Sequence, residues 1–158
     1  MVGVMLMLVV TIVIAAVVSA FAGGLSHGTS KAPQLSITPE AHDGSYILIS
    51  FNSGDTISGS SIMMKTFIPS GKFKDISQQV NLKNVTYLQT NSPLYDATNY
   101  SWHTIQIGDK IKINWTDAFA ASSFGGYQAP SVGEPVNIEI YDSATGKMIV
   151  TAQTTVLP

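Results

Sequence analysis

The chain has 158 residues, with 8 basic residues, all of them lysines, and 10 acidic residues, so its formal net charge at pH 7 is -2. This near balance argues against a nucleic-acid-binding protein, because neutralising phosphates requires a clustered basic face. Cysteine is absent, which excludes a disulfide framework and thiolate metal sites. The length suffices for one globular domain and one appendage.

The first 24 residues, MVGVMLMLVVTIVIAAVVSAFAGG, contain no charged side chain. As an α-helix, residues 1–24 would be about 36 Å long, against a membrane hydrocarbon core of about 30 Å. Their apolar side chains surround the helix instead of forming a stripe, so the segment is predicted to be buried on every side. The lone hydroxyl of the run, Thr11, is expected to bond to the backbone of its own helix.

Three interpretations of this helix compete. A cleaved secretory signal would have a basic start and a shorter apolar run, although Ala20-Phe21-Ala22 does provide the small-x-small exit of such a signal. A plain membrane anchor is the second interpretation. The third is a helix that spans the membrane before assembly and afterwards packs against copies of itself.

A strip of small residues favours the third interpretation, because it lets helix backbones approach closely in apolar surroundings. The strip residues are spaced by four on one broad face, and they are Ala15, Ala16, Ser19, Ala20, Gly23 and Gly24.

The sequence GGLSHGTSKAP follows at 23–33 and is typical of a linker. The helix is expected to end at its Gly-Gly pair, because glycine is preferred just after a helix C-terminus. We therefore predict a linker or hinge at 25–33, in which His27 is a solvated loop residue.

Beyond the linker, residues 34–158 show strand patterns. The run at 45–51 is almost continuously apolar and is predicted to be a central strand, whereas the alternation at 110–116 predicts an inward-facing Trp115 beside two inward isoleucines. No second helix is predicted. The fold class is α+β, with a long hydrophobic N-terminal helix followed by an all-β, sandwich-like domain of about seven strands. The predicted strands are 34–38, 45–51, 62–68, 84–88, 110–116, 136–142 and 147–157.

The apolar segment VGVMLMLVVTIVIAAVVSAFAGG resembles the N-terminal segment of archaeal type IV pilins. SYILISFNSGDTISGSSIMMKTFIPSG resembles the stretch that follows it in that family, and IQIGDKIKI and VNIEIYDSATGKMIV resemble its usual ending. The family carries a few more residues, often with a Ser-Pro pair, before the Val-Gly pair that stands here at Val2-Gly3. We therefore expect the start of this chain to be misassigned or trimmed.

The resemblance implies a structural subunit and not an enzyme. Such a subunit is made with a short basic leader, inserted in the membrane, cut by a prepilin peptidase and polymerised by the pilus assembly machinery. The product is an extracellular homopolymer in which the helices form the core and the β domains form the outer wall, and adhesion is the expected role. Two alternatives stay open: a subunit of the archaeal swimming filament, the archaellum, and a monomeric membrane-anchored domain that binds a ligand or envelope component.

Three N-x-S/T sequences begin at Asn84, Asn99 and Asn114, and each is a candidate glycosylation site. We expect at least one to be modified, which would solubilise and shield the surface of a filament. Asn114 lies in a predicted strand and must face outward to qualify, which the alternation there allows.

No catalytic, cofactor or metal site is expected. The three histidines, His27, His42 and His103, lack the spacing of metal ligands, and no serine lies in a nucleophile elbow. Asp43 and Asp55 flank a predicted strand and are expected to be ordinary turn residues instead of cation ligands.

Overall fold

A computed structural model describes residues 2–24, 33–121 and 126–158. Apart from residue 33, the linker predicted at 25–33 lies outside the described residues, and so does His27 within it.

The first compact unit, Met1–Lys31, contains helix α1, Val2–Gly24. Its 23 residues give a length of about 35 Å. Thr11 Oγ1 donates to the backbone carbonyl oxygens of Met7 and Leu8, at 3.0 and 2.9 Å, so the hydroxyl is satisfied within the helix as expected. The helix ends at the glycine pair, where the sequence predicts its end.

The second compact unit, Ala32–Pro158, consists mainly of β-strands, and its described residues include a four-residue helix, α2, at Trp115–Ala118. Short 3-10 turns occupy Gly59–Ser61 and Leu82–Asn84. Within the described residues there are twelve strands: β1 Leu35–His42, β2 Tyr46–Gly54, β3 Ile57–Ser58, β4 Ile62–Phe67, β5 Ser77–Gln79, β6 Thr86–Tyr87, β7 Tyr95–Asp96, β8 Ser101–Trp102, β9 Thr104–Ile105, β10 Lys110–Asn114, β11 Pro135–Asp142 and β12 Met148–Leu157.

Eight of these strands form one sheet in the order β5-β4-β11-β12-β1-β2-β10-β6, while β3 pairs with β9 and β7 with β8. The neighbouring strands are antiparallel, except that β1 and β12 run parallel and pair at Ala41 with Val156 and at His42 with Leu157. All seven predicted segments carry strands of this sheet, and β2 lies inside it, paired on both sides. The prediction missed β5, a short polar edge strand of this sheet, and the four two-residue strands β3, β7, β8 and β9.

The sheet curls, so that the inward side chains of its two halves meet in one hydrophobic core. Alternation along the strands produces this core, because successive side chains point to opposite faces. A buried hydrogen bond also joins β4 to α2, in which Thr66 Oγ1 donates to the Ala118 carbonyl oxygen at 2.6 Å. Fully buried residues of the core include Ile47, Ile49, Ile111, Ile113, Val136, Ile138 and Ile140.

The prediction of no second helix is wrong, since the chain leaves β10 and forms α2 at Trp115. The Phe119 N–H donates to the Trp115 carbonyl oxygen at 3.1 Å, which closes a single turn. The two rings pack with their centroids 4.6 Å apart. Trp115 does face inward as predicted and is 5% exposed. The helical turn begins at Trp115, directly after β10, so this residue keeps the inward position that the strand alternation gives it.

The strand predicted at 84–88 is reduced to the two residues of β6, Thr86–Tyr87. A 3-10 turn, Leu82–Asn84, occupies the residues just before it, and the side chain of Asn81 caps this turn by accepting from the Lys83 N–H at 3.2 Å. An asparagine side chain that bonds to the backbone two residues on competes with strand formation.

Candidate assembly helix and glycosylation sites

Helix α1 exposes every side chain from Val2 to Phe21 within its own compact unit. The segment is long and apolar enough to cross a membrane, with a mean hydropathy of 2.9, and none of it is buried. Even its least exposed large side chain, Val10, is 46% exposed. Apolar surface on this scale requires a cover of lipid or protein.

The small-residue strip lies on one face of α1, as residues spaced by four must in a helix. Ala15, Ala16, Ser19 and Ala20 are all exposed, and Gly23 and Gly24 belong to the last turn of the same helix. On the opposite face the helix carries larger side chains, among them Ile14 and Val18. A second helix backbone can therefore approach α1 more closely along the strip than along the opposite face.

Two of the glycosylation candidates, Asn84 and Asn114, meet at one carboxylate. The Asn84 side-chain amide donates to Asp117 Oδ1 at 2.6 Å, and the Asn114 side-chain amide lies 3.4 Å from Asp117 Oδ2. Both asparagines are exposed. Asp117 was not among the residues predicted from the sequence, although it directly follows the Asn114-Trp115-Thr116 sequence, which is the signal that could have identified it. The structure thus brings together two sites that are thirty residues apart in the chain.

The middle residue of each of these two sequences is held in the hydrophobic core. Val85, which follows Asn84, is 0% exposed, and Trp115, which follows Asn114, is 5% exposed. Lifting either segment away from the surface would break core packing. In the folded protein the side chains of Asn84 and Asn114 are therefore accessible, but the backbone around them is held in place by the core.

Asn99 differs, because it lies in the four-residue connection between β7 and β8. Its neighbour Tyr100 is 82% exposed. Asp96 organises the loop: its carboxylate accepts from the Asn99 side-chain amide at 2.7 Å and from the Thr98 and Asn99 N–H groups at 2.8 and 3.2 Å. These hydrogen bonds, chiefly the one from the Asn99 side chain, lower the pKa of Asp96 below its ordinary value. Asn99 is thus exposed, and the residue that follows it, Tyr100, does not anchor the loop in the core.

The predicted turn residues Asp43 and Asp55 lie at opposite ends of β2, Tyr46–Gly54, and its nine residues span about 30 Å. They are therefore too far apart to share a cation. Asp55 accepts from the Gln34 N–H at 3.0 Å, and its own N–H donates to the Gln34 carbonyl oxygen at 2.9 Å. These two hydrogen bonds of Asp55 fix the start of the β domain, a role that was not predicted from the sequence.

Among the described residues, no group of three His, Cys, Asp or Glu side chains could hold a metal ion. His42 instead contacts the ring of Tyr46, with the centroids 4.8 Å apart. The backbone N–H of His103 donates to the Leu94 carbonyl oxygen at 2.9 Å, which connects two loops of the β domain.

An uncovered apolar helix joined to a self-contained β domain is typical of proteins that sit in a membrane or associate through the helix. Residues 1–37 match the model of a family described as archaeal type IV pilin, N-terminal. The match covers α1 and the first residues of β1, and it supports a filament subunit of the pilin or archaellin type. That family is one of structural subunits that assemble into filaments. No curated protein matches the chain.

Proposed function

We propose that the protein is the structural subunit of an extracellular archaeal type IV pilus, which polymerises through α1 and serves in surface attachment. The observation that supports this most directly is the contrast between a helix with no buried side chain from Val2 to Phe21 and a β domain with its own hydrophobic core. The β domain does not need the helix surface to fold. That surface is left available for assembly.

The energetics favour a stable polymer. Burying about 1,500 Å² of apolar helix surface at roughly 25 cal/mol per Å² corresponds to tens of kcal/mol per subunit before entropy costs. In the membrane, lipid already solvates the same surface, so extraction into a filament requires assembly machinery that consumes energy. We propose a membrane-inserted precursor that is cut by a prepilin peptidase and then transferred into the growing filament.

Within the filament, the small-residue strip is the proposed contact between neighbouring helices. Close packing along Ala15, Ala16, Ser19 and Ala20 would continue to the glycine pair at the end of α1. A head-to-tail contact that does not close on itself generates an open helical polymer. Copies of this chain are therefore the main partners of the mature protein.

The outer wall of the filament is proposed to be glycosylated. Asn99 is the favoured site, because its loop can be presented to a transferase without disturbing the core. Asn84 and Asn114 are proposed as secondary sites whose amides engage the same carboxylate of Asp117 in the folded domain. A glycan at any of them would add a polar, bulky group to the filament surface.

Negative-stain microscopy of sheared surface material tests the filament proposal. Cells that produce the chain should yield thin filaments that contain it, and cells from which it is deleted should lack them. Recovery of the chain only as a monomer in the membrane fraction would contradict the proposal and would favour a membrane-anchored binding domain.

An archaellum subunit is the second candidate, because the family match supports pilin and archaellin types alike. Deletion of the chain separates the two. Loss of surface attachment with swimming retained is the result expected for a pilus, whereas loss of swimming would identify an archaellum.

A further inference from the structure

A pocket of about 460 Å³ opens on the β domain where β4, β5 and β8 meet the two 3-10 turns. Its volume lies within the range of about 300–1,000 Å³ that is usual for small-molecule sites. Val80 and Leu82 contribute apolar side chains to its lining, and both are buried. Every lining residue belongs to the β domain, so the pocket can be described without reference to α1.

Trp102 forms one wall of this pocket and is held in position by its neighbours. A Cβ at Gly59 would lie 2.8 Å from the Cε3 atom of Trp102, so a larger residue there would displace the indole. The Gly59 N–H donates to the His103 carbonyl oxygen at 3.1 Å, which fixes this close approach. The ring of Tyr95 packs on the indole with the centroids 4.8 Å apart, yet Trp102 stays partly exposed. A preorganised aromatic surface therefore borders the pocket.

The polar part of the lining consists largely of uncharged side chains. Gln79 and Asn81 contribute amides, and Ser60 contributes a hydroxyl. Each of these groups can both donate and accept hydrogen bonds. Asn81 Oδ1 accepts from the Lys83 N–H at 3.2 Å, which fixes the position of the Asn81 amide beside the pocket. The lining thus suits a ligand whose own polar groups donate and accept.

Charge excludes two other kinds of ligand. No carboxylate is among the described residues that line the pocket, whereas Ca²⁺ and Mg²⁺ sites depend on carboxylate oxygens. Lys83 is the charged residue of the described lining, and its Nζ lies 4.9 Å from the centroid of the Tyr95 ring. A single lysine that is engaged by an aromatic ring is a poor match for a phosphate group, which favours several charged donors. An uncharged polar ligand fits best.

A pyranose sugar combines the two chemistries that the pocket provides. The C–H groups on one face of its ring can pack on an aromatic side chain, here Trp102. The hydroxyl groups around the ring both donate and accept, which matches the amides of Gln79 and Asn81. An apolar surface with a few polar groups that fix orientation is the usual composition of a small-molecule site.

We propose that this pocket binds an uncharged pyranose sugar of a surface glycan, which packs on Trp102 and hydrogen-bonds to Gln79 and Asn81. The inference deepens the proposed surface attachment and rests on that function for its biological role. A single sugar of about twelve heavy atoms in such a pocket would bind with roughly millimolar affinity. A filament that presents many copies of the pocket would bind a glycan-coated surface far more tightly through multivalency.

Ligand-observed NMR tests sugar binding directly. The full-length chain is made in a bacterial host without N-glycosylation and is solubilised in a detergent without a sugar head group, so that the detergent cannot occupy the pocket. The probes are the methyl glycosides of glucose, galactose, mannose and N-acetylglucosamine. Saturation transfer from the protein to the ring C–H protons is expected for at least one probe. Absence of transfer to all four would overturn the proposal.

Two aromatic residues of the β7–β8 hairpin provide a matched pair of variants. Trp102→Ala should lower the transfer to the bound glycoside at least tenfold, because it removes the packing surface. Tyr100→Ala should leave the transfer within twofold, since Tyr100 is 82% exposed and does not line the pocket. Equal transfer to the two variants would overturn the proposal.

A second pair of variants avoids the packing role that Trp102 has in the fold. Gln79 is exposed on the edge strand β5, so Gln79→Leu should preserve the fold. It should lower the transfer at least threefold, because it removes hydrogen bonds to the sugar. Gln153→Leu is the matched control on β12, and transfer within twofold of the unsubstituted chain is expected there. Equal transfer to these two variants would overturn the proposal whether or not Trp102→Ala folds.

Such a sugar has two sources: a glycan on another surface, or the glycan proposed at Asn99 in the filament itself. Beads coated with the glycoside that binds separate these sources. Retention of unsubstituted filaments on the beads would assign the pocket to a foreign glycan. Retention only of Ser101→Ala filaments, which lack the acceptor sequence at Asn99, would assign it to the filament's own glycan. Retention of neither would overturn the proposal.

The two proposals fail separately, because sugar binding by the solubilised chain does not require a filament. Intact filaments together with a chain that binds none of the four glycosides would overturn this inference and leave the filament function standing. A chain that binds a glycoside but forms no filaments would instead overturn the proposed function.

Discussion

Helix α1 and the β domain are both rich in branched aliphatic residues, yet they bury them in opposite ways. In the β domain Ile138 is 0% exposed, whereas Ile14 in α1 is 56% exposed. Strand alternation turns each apolar residue toward one core, but α1 is apolar on all faces and cannot turn its surface away from solvent. The β domain therefore buries its apolar residues within one chain, whereas α1 can bury its own only against lipid or another protein.

The largest expected effect is on the association of α1. Replacing Ala16 and Ala20 together with Leu should abolish filaments, because two bulky side chains would fill the strip where helix backbones approach. Membrane insertion should be unchanged, since the helix stays apolar. Electron microscopy measures the filaments, and membrane fractionation measures the precursor.

The matched control introduces two leucines on the opposite face of α1. Ile14→Leu with Val18→Leu adds little volume and leaves the small-residue strip intact, so normal filaments are expected. Filaments of normal yield from the Ala16 and Ala20 variant would contradict close helix packing along the strip.

The second effect concerns the β domain. Ile138→Ala should lower its free energy of unfolding by about 2–5 kcal/mol, since it removes a buried side chain and leaves a cavity. Ile107→Ala, at a residue that is 62% exposed, should change that free energy by less than about 0.5 kcal/mol. Denaturant unfolding of the detergent-solubilised full chain, followed by tryptophan fluorescence, measures both values.

Neither alanine substitution is expected to alter membrane insertion of α1, because the two regions form separate compact units. A loss of insertion that accompanies the loss of β-domain stability would show that the two regions are not independent.

The third effect is on glycan distribution. Glycopeptide mass spectrometry should find higher occupancy at Asn99 than at Asn84 or Asn114, since the sequences of the latter two are held in the core by Val85 and Trp115. Ser101→Ala should remove the modification at Asn99 without unfolding the domain, because Ser101 is exposed. Higher occupancy at Asn84 or Asn114 than at Asn99 would contradict this ranking.

The smallest effect is local and depends on pH. The pKa of Asp96 is lowered, chiefly by the hydrogen bond from the Asn99 side chain, so the ionised carboxylate holds the loop more tightly than the protonated one. This stabilisation is fully present above the unfolded pKa of about 3.9 and is lost as the pH falls through the lower folded value. Amide exchange at Thr98 and Asn99, corrected for intrinsic rates, should become less protected below about pH 4, and Asp96→Asn should remove this pH dependence.

Much of the fold can be predicted from the sequence, because apolar periodicity is a local signal. The even hydrophobicity of α1 and the alternation at 110–114 correctly identify a helix and a strand. The prediction is less accurate for the positions at which strands begin and end, because hydrogen bonding around each strand decides them. The strand predicted at 34–38 continues as β1 through a buried Pro39 to His42, and it pairs with β12 only beyond that proline.

The candidate sites are predictable only in part. The three sequons are visible in the sequence, but the meeting of Asn84 and Asn114 at Asp117 depends on the pairing of β6 with β10, which lie far apart in the chain.

Helical reconstruction of the intact assembly by cryo-electron microscopy would determine whether α1 is covered by other copies of α1. The map should show residues 2–24 of each subunit as a helix in the filament core, in contact with helices of neighbouring subunits along the small-residue strip. A map in which this helix is solitary, surrounded by lipid or detergent and without contact to another subunit, would rule out assembly through α1.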